Sequence, residues 1–342
     1  MKKYIYITIL FIIISSFCLL YLKLNENDDD KIVKKTENKE IREEVKEKNI
    51  YPSYNGYLKV SNTKLLNQNN EEFILKGVSS HGIQWFYDLY TKENLKSLKD
   101  DFNINVFRIA MYTKEGGYID DPSIKEKVIK IVDDLIDLDM YVIIDWHILS
   151  DNNPLMFKED SIKFFGEISK KYKNVPNVIY EICNEPNGNT TFSDISSYAN
   201  EVIKVIRKES PKSIVIVGTP TWCQDVDKVF KLEFENILYA LHFYSGTHKE
   251  DLRERVKTAL NNNIPIIVSE FGVSDASGSG GIYLEETDKW IEFLKSNNIS
   301  LISWSLSNKN ETSAILKENT NTVSDENLTE TGIYLKNMFK EY

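Results

Sequence analysis

Two glutamates stand where apolar runs end: Glu185 in "NVIYEICNEPNG" (177–188) and Glu270 in "PIIVSEFG" (265–272). Glutamate is a poor strand former and is costly to bury, so a carboxylate at such a place needs a reason. Other polar residues fall in the second half or at the end of comparable runs: Arg108, His147, Asn184, His242 and Tyr244, with His81 just past another. Two carboxyl groups on facing elements can break a glycosidic bond. When they lie about 5–5.5 Å apart, one attacks the sugar while the other protonates the leaving oxygen. The acid must keep its proton near neutrality, which burial or a neighbouring carboxylate achieves. The nucleophile must stay ionised, and Arg108 offers it positive charge while the Tyr244 phenol offers a hydrogen bond. Trp85, Trp222 and Trp304 supply flat apolar faces on which pyranose rings could stack.

A single glutamate at a strand end is ordinarily solvated or salt-bridged. The chemistry therefore rests on several strand ends agreeing. Glu181, four residues before Glu185, is read as a structural member of a polar inner layer, paired with a buried cation. The histidines could instead bind metal, but "SSHG" holds one histidine where hydrolytic metal sites use an HxH pair. No metal and no cofactor are expected. Trp146 is read as core, and His248 and Trp290 fall on predicted helices as structural residues.

These residues must be positioned by something, and the chain has a rhythm of eight. Apolar runs recur at 73–80, 104–111, 140–147, 177–184, 213–218, 237–244, 265–272 and 299–306. Amphipathic stretches lie between them, such as 121–139, which opens with Asp and Pro, and 193–210. Eight strands alternating with helices predict an α/β fold, a (β/α)8 TIM barrel, whose chemistry sits at the carboxyl ends of the strands. A doubly wound sheet competes, but no Gly-rich turn follows the first run. Residues 57–72 read as a β-hairpin around "NQNN" that plugs the amino-terminal end of the barrel. A strict period of two places Arg108 with Val106, Glu185 with Glu181 and Cys183, Tyr244 and His242 with Ala240, and Glu270 with Val268 on inward faces.

The chain has 342 residues and a formal charge of −10, a poor match for nucleic acid or anionic lipid. Cys18, Cys183 and Cys223 are too few for a disulfide scaffold. Residues 1–24 hold two lysines and then nineteen uncharged residues, Tyr4 to Leu22. That run is longer than the roughly 7–15 residues of a signal peptide core and close to the about 20 of a membrane span. An uncleaved anchor is preferred to a cleaved signal, and either exports the remainder of the chain to the cell surface or medium. Residues 25–50, with nine acidic and seven basic residues, read as a solvated linker, and 51–342 as the catalytic domain.

"VIYEICNEPNG" and "IIVSEFG" resemble the retaining β-glycanases of glycoside hydrolase family 5. "KGVSSHGIQW", "LDMYVIIDWHILSDNNP", "YALHFYSGTH" and "SWSLSNKNE" are similar to its bacterial endo-β-1,4-glucanase subgroup. The resemblance runs from about Tyr57 to Lys340. It implies Glu185 as acid/base, Glu270 as nucleophile and Asn184 on the sugar 2-hydroxyl. It also implies Arg108 and Tyr244 holding the nucleophile, and His147 and His242 lining the cleavage subsite, His242 beside the acid/base. His81, Trp85, Tyr112, Trp222, Trp304, Lys309 and Glu311 match positions that contact glucosyl units. The implied partner is a β-glucan, acted on by a monomer that meets the membrane only through its amino-terminal segment. Mixed-linkage glucan, xyloglucan or mannan are the alternative substrates, and a silent glycan-binding barrel the alternative class. No separate carbohydrate-binding module is expected, which favours soluble or amorphous glucan. The chain departs from the family pattern at Phe271, where tryptophan is commoner, and at Cys183 and Cys223. Two buried thiols are preferred there to a disulfide.

Overall fold

The structure is a computed structural model that describes residues 49–342. The expected anchor or signal (1–24), and the linker (25–50) except its last two residues, lie outside the described residues. Among the described residues no helix is long and apolar enough to cross a membrane.

Eight parallel strands close into a barrel: β3 (Lys76–Ser80), β4 (Val106–Tyr112), β5 (Tyr141–His147), β6 (Val178–Glu181), β7 (Val215–Val217), β8 (Ile237–Tyr244), β9 (Ile266–Gly272) and β10 (Leu301–Leu306). Each follows its predecessor in space, and β10 pairs with β3. Among the described residues, helices follow seven of the strands. The run after β7 instead forms short turns at Pro220–Cys223 and Val226–Lys228. The helix Ile124–Asp137 begins just after the Asp-Pro signal, and Phe192–Glu209 is started by a capping box in which Thr191 and Asp194 each hold the other's backbone N–H.

The barrel strands are apolar on both faces, as expected of parallel strands covered by helices. Inward residues at the amino-terminal end, Val106, Tyr141, Ile143, Ile179, Ile216, Leu238, Ala240, Ile267 and Ile302, form one cluster with Leu58, Leu65 and Phe73. The last three belong to the plug. Its hairpin is β1 (Lys59–Ser61) against β2 (Lys64–Leu66), so the main turn falls at Asn62–Thr63, one turn before the expected position. "NQNN" makes a second turn, which bridges Leu66 to Glu72. Outward residues pack with the helices in a larger second cluster.

Three strands depart from strict alternation, each at the carboxyl end; in β10 the register against β3 shifts between Ser303 and Leu306. Pairing of β6 stops at Glu181, and Cys183 joins the layer between strands and helices instead of the barrel interior. Cys183 and Cys223 are free and buried. In β9, Leu241 pairs with Val268 but His242 with Glu270, leaving Ser269 as an extra residue. This β-bulge breaks the expected Val268–Glu270 face. Ile267 points in and Val268 out, after which Ser269 and Glu270 both reach the interior.

Candidate active site

Above the apolar floor the barrel interior turns polar, centred on the buried guanidinium of Arg108 on β4. Its Nε donates to Glu181 Oε2 (2.6 Å), Nη1 to Glu270 Oε2 (3.2 Å) and Ser79 Oγ (3.2 Å), and Nη2 to Asn184 Oδ1 (2.6 Å). Nη2 also lies 3.0 Å from Asp145 Oδ2. Glu181 is thus the structural partner of a buried cation that the sequence suggested. Glu270 takes a second hydrogen bond, from the Tyr244 hydroxyl at 2.8 Å. Gly272 makes this possible, since a Cβ there would sit 2.3 Å from the Tyr244 ring. Glu185 lies against His242, with Oε1 at 2.8 Å from Nδ1. One oxygen of Glu185, one of Glu270 and a ring nitrogen of His242 all fall within 4.8 Å of one another.

Charge balance in this cluster is uneven. One guanidinium faces four buried carboxyl groups, and burial pushes Asp145, Glu185 and Glu270 each up to about 7. Two carboxyls this close cannot both ionise cheaply, so a proton is shared between Glu185 and Glu270. The donors decide where it rests. Glu270 holds two direct donors, Arg108 and Tyr244, and takes the negative charge. Glu185 keeps the proton. His147 and His242 are neutral, held down mainly by burial. Glu185, His242 and Glu270 are near enough to hold a cation, but most of their ligand atoms are engaged within the protein. Both His242 nitrogens and both Glu270 oxygens already have partners within the protein.

Replacing Glu185 with glutamine should therefore stabilise the protein at alkaline pH. A folded-state pKa raised to about 7 means the wild type loses stability as pH climbs from the unfolded value to 7. Glutamine carries no such linkage, and its amide can donate to His242 Nδ1. The expected gain is roughly 1–3 kcal/mol at pH 8, vanishing near pH 4. Thermal melts across that range check it; a gain independent of pH contradicts it.

The cluster opens into a cleft of about 650 Å³. His81, Trp85, Tyr112, His147, Trp222, Trp304, Lys309 and Glu311 line it with Glu185, His242, Tyr244 and Glu270, while Arg108 and Asn184 lie beneath. One wall is continuous aromatic surface: Trp85 meets Tyr112 at 4.9 Å, Tyr112 meets His147 at 4.1 Å, and His147 stacks on Trp304 at 5.5 Å. Lys309 pairs with Glu311 at 2.6 Å, and His81 lies 3.8 Å from the same carboxylate. Trp222 stands apart from that wall, half-exposed, its backbone N–H donating to Pro186 O beside Glu185. Asn184 is 1% exposed; its amide also donates to Ile148 O and His147 Nε2, the latter at a long 3.2 Å.

Three functional residues escaped the sequence reading. Asp145 links Arg108 to His147 Nδ1 (2.6 Å), and its place two residues before His147 is the signal that could have exposed it. Ser269 required knowledge of the bulge. His248 lies before the helix Glu250–Asn261, lines the cleft and accepts the backbone N–H of Tyr244 at 2.9 Å, so its reading as a helical structural residue is corrected. Trp146 and Trp290 are core, as expected. Phe271 faces outward and stacks on Phe243 at 5.4 Å, away from the cleft.

A closed parallel barrel with two carboxyls gathered at its mouth, above a wall of aromatic rings, has the make-up of a barrel glycoside hydrolase. Residues 66–310 match the family model for cellulase (glycosyl hydrolase family 5). An endoglucanase of Clostridium saccharobutylicum is 50% identical over 83% of the chain, and endoglucanase A of Evansella cellulosilytica 52% identical over 72%. The chain covers 65% and 51% of those two proteins, so it spans half to two thirds of their length. Among solved structures, cellulase Cel5C_n superposes with a TM-score of 0.82 at 40% identity, covering 84% of this chain and 94% of that one. A variant of the Thermobifida fusca endoglucanase Cel5A (E5) catalytic domain, in complex with cellotetraose, gives 0.81 at 30% identity, covering 84% and 99%. The chain belongs to glycosyl hydrolase family 5.

Proposed function

We propose that this protein is an endo-β-1,4-glucanase that cleaves internal bonds of β-glucan with retention of configuration. The observation that carries the mechanism is the pair of carboxyls within 4.8 Å, one held by a cation and a phenol, the other by a neutral imidazole. That closeness suits direct attack and leaves little room for the water that an inverting pair needs at about 6.5–9.5 Å. The names of the relatives, endoglucanases and cellulases, support the substrate class.

In the first step the Glu270 carboxylate bonds to the anomeric carbon as the glycosidic C–O bond breaks. The Glu185 proton passes to the leaving oxygen. In the second, Glu185 takes a proton from water, whose oxygen displaces Glu270 and returns the sugar with its original configuration. Trp222, close to Glu185, serves the leaving-group side, and the aromatic wall ending in Trp304 serves the glycosyl side. Asn184 reaches the 2-hydroxyl by giving up its long contact to His147. The uncharged run Tyr4–Leu22 supports action at the cell surface or outside the cell.

Carboxymethyl cellulose should lose viscosity well before reducing ends accumulate, and proton NMR of cello-oligosaccharide digestion should show the β-anomer appearing first. Faster turnover of mixed-linkage glucan, xyloglucan or mannan would overturn the substrate, and first appearance of the α-anomer would overturn the mechanism.

A further inference from the structure

The proton on Glu185 is held by a relay that runs from His242 in the cleft wall to Ser269 and Glu181, which do not line the cleft. His242 Nδ1 faces Glu185 Oε1 at 2.8 Å, and its Nε2 faces Ser269 Oγ at 3.0 Å. Ser269 donates its hydroxyl proton to Glu181 Oε1 at 2.6 Å, and Glu181 is anchored as an anion by Arg108 Nε at 2.6 Å. A hydroxyl has one proton to give. Having given it to Glu181, Ser269 can only accept from His242, so Nε2 carries the ring hydrogen. A neutral imidazole has one N–H, which leaves Nδ1 a bare lone pair aimed at Glu185. Hydrogen bonding across 2.8 Å then requires Glu185 to be the donor.

We infer that Ser269 and Glu181 are positioning residues that lock the His242 tautomer and so keep Glu185 in its acid form. The inference rests on the reading of Glu185 as the acid/base. The same lone pair opposes the Glu185 anion after it has given up its proton, which strengthens it as the base of the second step. The opposite polarity is available in principle: a proton on Glu181, Ser269 donating to Nε2 and Nδ1–H donating to a Glu185 carboxylate. Arg108 decides between them by holding Glu181 ionised.

Apart from Arg108, the groups around the relay do not set this direction. From β4, Arg108 acts on Glu181 and Glu270, and Tyr112 is a neutral phenol. From β5, Asp145 and His147 bond to each other. Cys223 is a buried thiol bonded to Asn184 O, Tyr244 of β8 bonds to Glu270, and neutral His248 accepts the Tyr244 backbone N–H. Glu270 of β9 spends its two oxygens on Arg108 and Tyr244.

The tautomer can be read directly. The chain has four histidines, so two-bond 15N–1H NMR of the full 15N-histidine-labelled protein resolves each ring. His242 is expected as the Nε2–H form at pH 7. Glu181→Gln should reverse the relay. With its carbonyl facing Arg108, the new amide donates to Ser269, which then donates to Nε2, leaving Nδ1–H pointing at an ionised Glu185. Ser269→Ala removes the lock and permits the same switch. In both variants the descending limb of kcat/KM should move down by about one pH unit or more, with about a 10-fold or greater loss on cello-oligosaccharides at pH 7. The kcat/KM for 2,4-dinitrophenyl β-cellobioside, which reports the first step alone and whose leaving group needs no proton, should stay within about 3-fold. Ser269→Thr, which keeps the hydroxyl, should restore the limb, and Ser269→Ala alone suffices if Glu181→Gln does not fold. Wild-type His242 in the Nδ1–H form, or an unmoved limb in both variants, overturns the inference. A wild type that hydrolyses neither substrate overturns the functional reading instead and leaves the tautomer result standing.

Discussion

Glu270→Gln is expected to lower kcat on β-glucan by about 10⁴-fold or more while leaving KM within a few-fold. The cleft walls that bind sugar do not depend on Glu270, whereas the bond to the anomeric carbon does. Its two donors, Arg108 and Tyr244, stabilise a carboxylate and have nothing comparable to offer an amide. Azide distinguishes the two carboxyl roles. With an activated aryl β-glycoside, Glu270→Ala should let azide attack from the vacated face, releasing the phenolate and forming an α-glycosyl azide. Glu185→Ala should instead yield the β-azide, because the glycosyl–enzyme forms first and is then displaced. Exchange of those two products between the variants would reverse the assignment, and undiminished hydrolysis by Glu270→Gln would remove Glu270 from it altogether.

Arg108→Met carries the largest expected cost to the fold. The guanidinium is fully buried and ion-paired to Asp145, Glu181 and Glu270 at 3.0, 2.6 and 3.2 Å. Removing one partner of a buried pair leaves uncompensated charge and costs about 3–5 kcal/mol. The sign with pH is fixed by the carboxyls. Without the cation their folded-state pKa values rise further above the unfolded ones, so the missing stability is recovered in acid and grows as pH rises. Urea or thermal unfolding of both proteins between pH 5 and 9 should show the gap widening. A gap that stays constant would mean the loss is one of packing and not of charge. Activity should fall with it, by about 10²–10³-fold, because Glu270 loses the cation paired with it.

The barrel and the site residues at its mouth were legible because alternation and strand-end polarity are local signals. Arg108, His147, His242 and Glu185 each fall in the second half or at the end of an apolar run, and the structure gathers them within hydrogen-bond reach of a common cluster. What was not legible came from breaks in that alternation. Ser269 enters the interior only through the bulge in β9, and nothing in "IIVSEFG" announces an extra residue. Cys183 leaves the interior because β6 stops pairing two residues earlier. Asp145 hid in an apolar run beside Trp146, where its partners, Arg108 and His147, come from tertiary and same-face neighbours. The hairpin's true turn, Asn62–Thr63, carries turn residues as plausible as those of "NQNN", so composition alone could not choose.

The turn that carries Trp222 bears on the thermodynamics of sugar binding. Thr221, Trp222 and Cys223 all have left-handed backbones, with φ of 57°, 53° and 60°. For residues with a Cβ that conformation costs about 1–2 kcal/mol apiece. It is maintained by Cys223 Sγ bonded to Asn184 O at 2.9 Å and by the Trp222 backbone N–H on Pro186 O at 3.1 Å. The unfavourable term is settled when the chain folds, before any glucan arrives. A backbone already fixed beneath the indole has no main-chain entropy left to surrender to an incoming chain, so more of the stacking enthalpy survives as affinity.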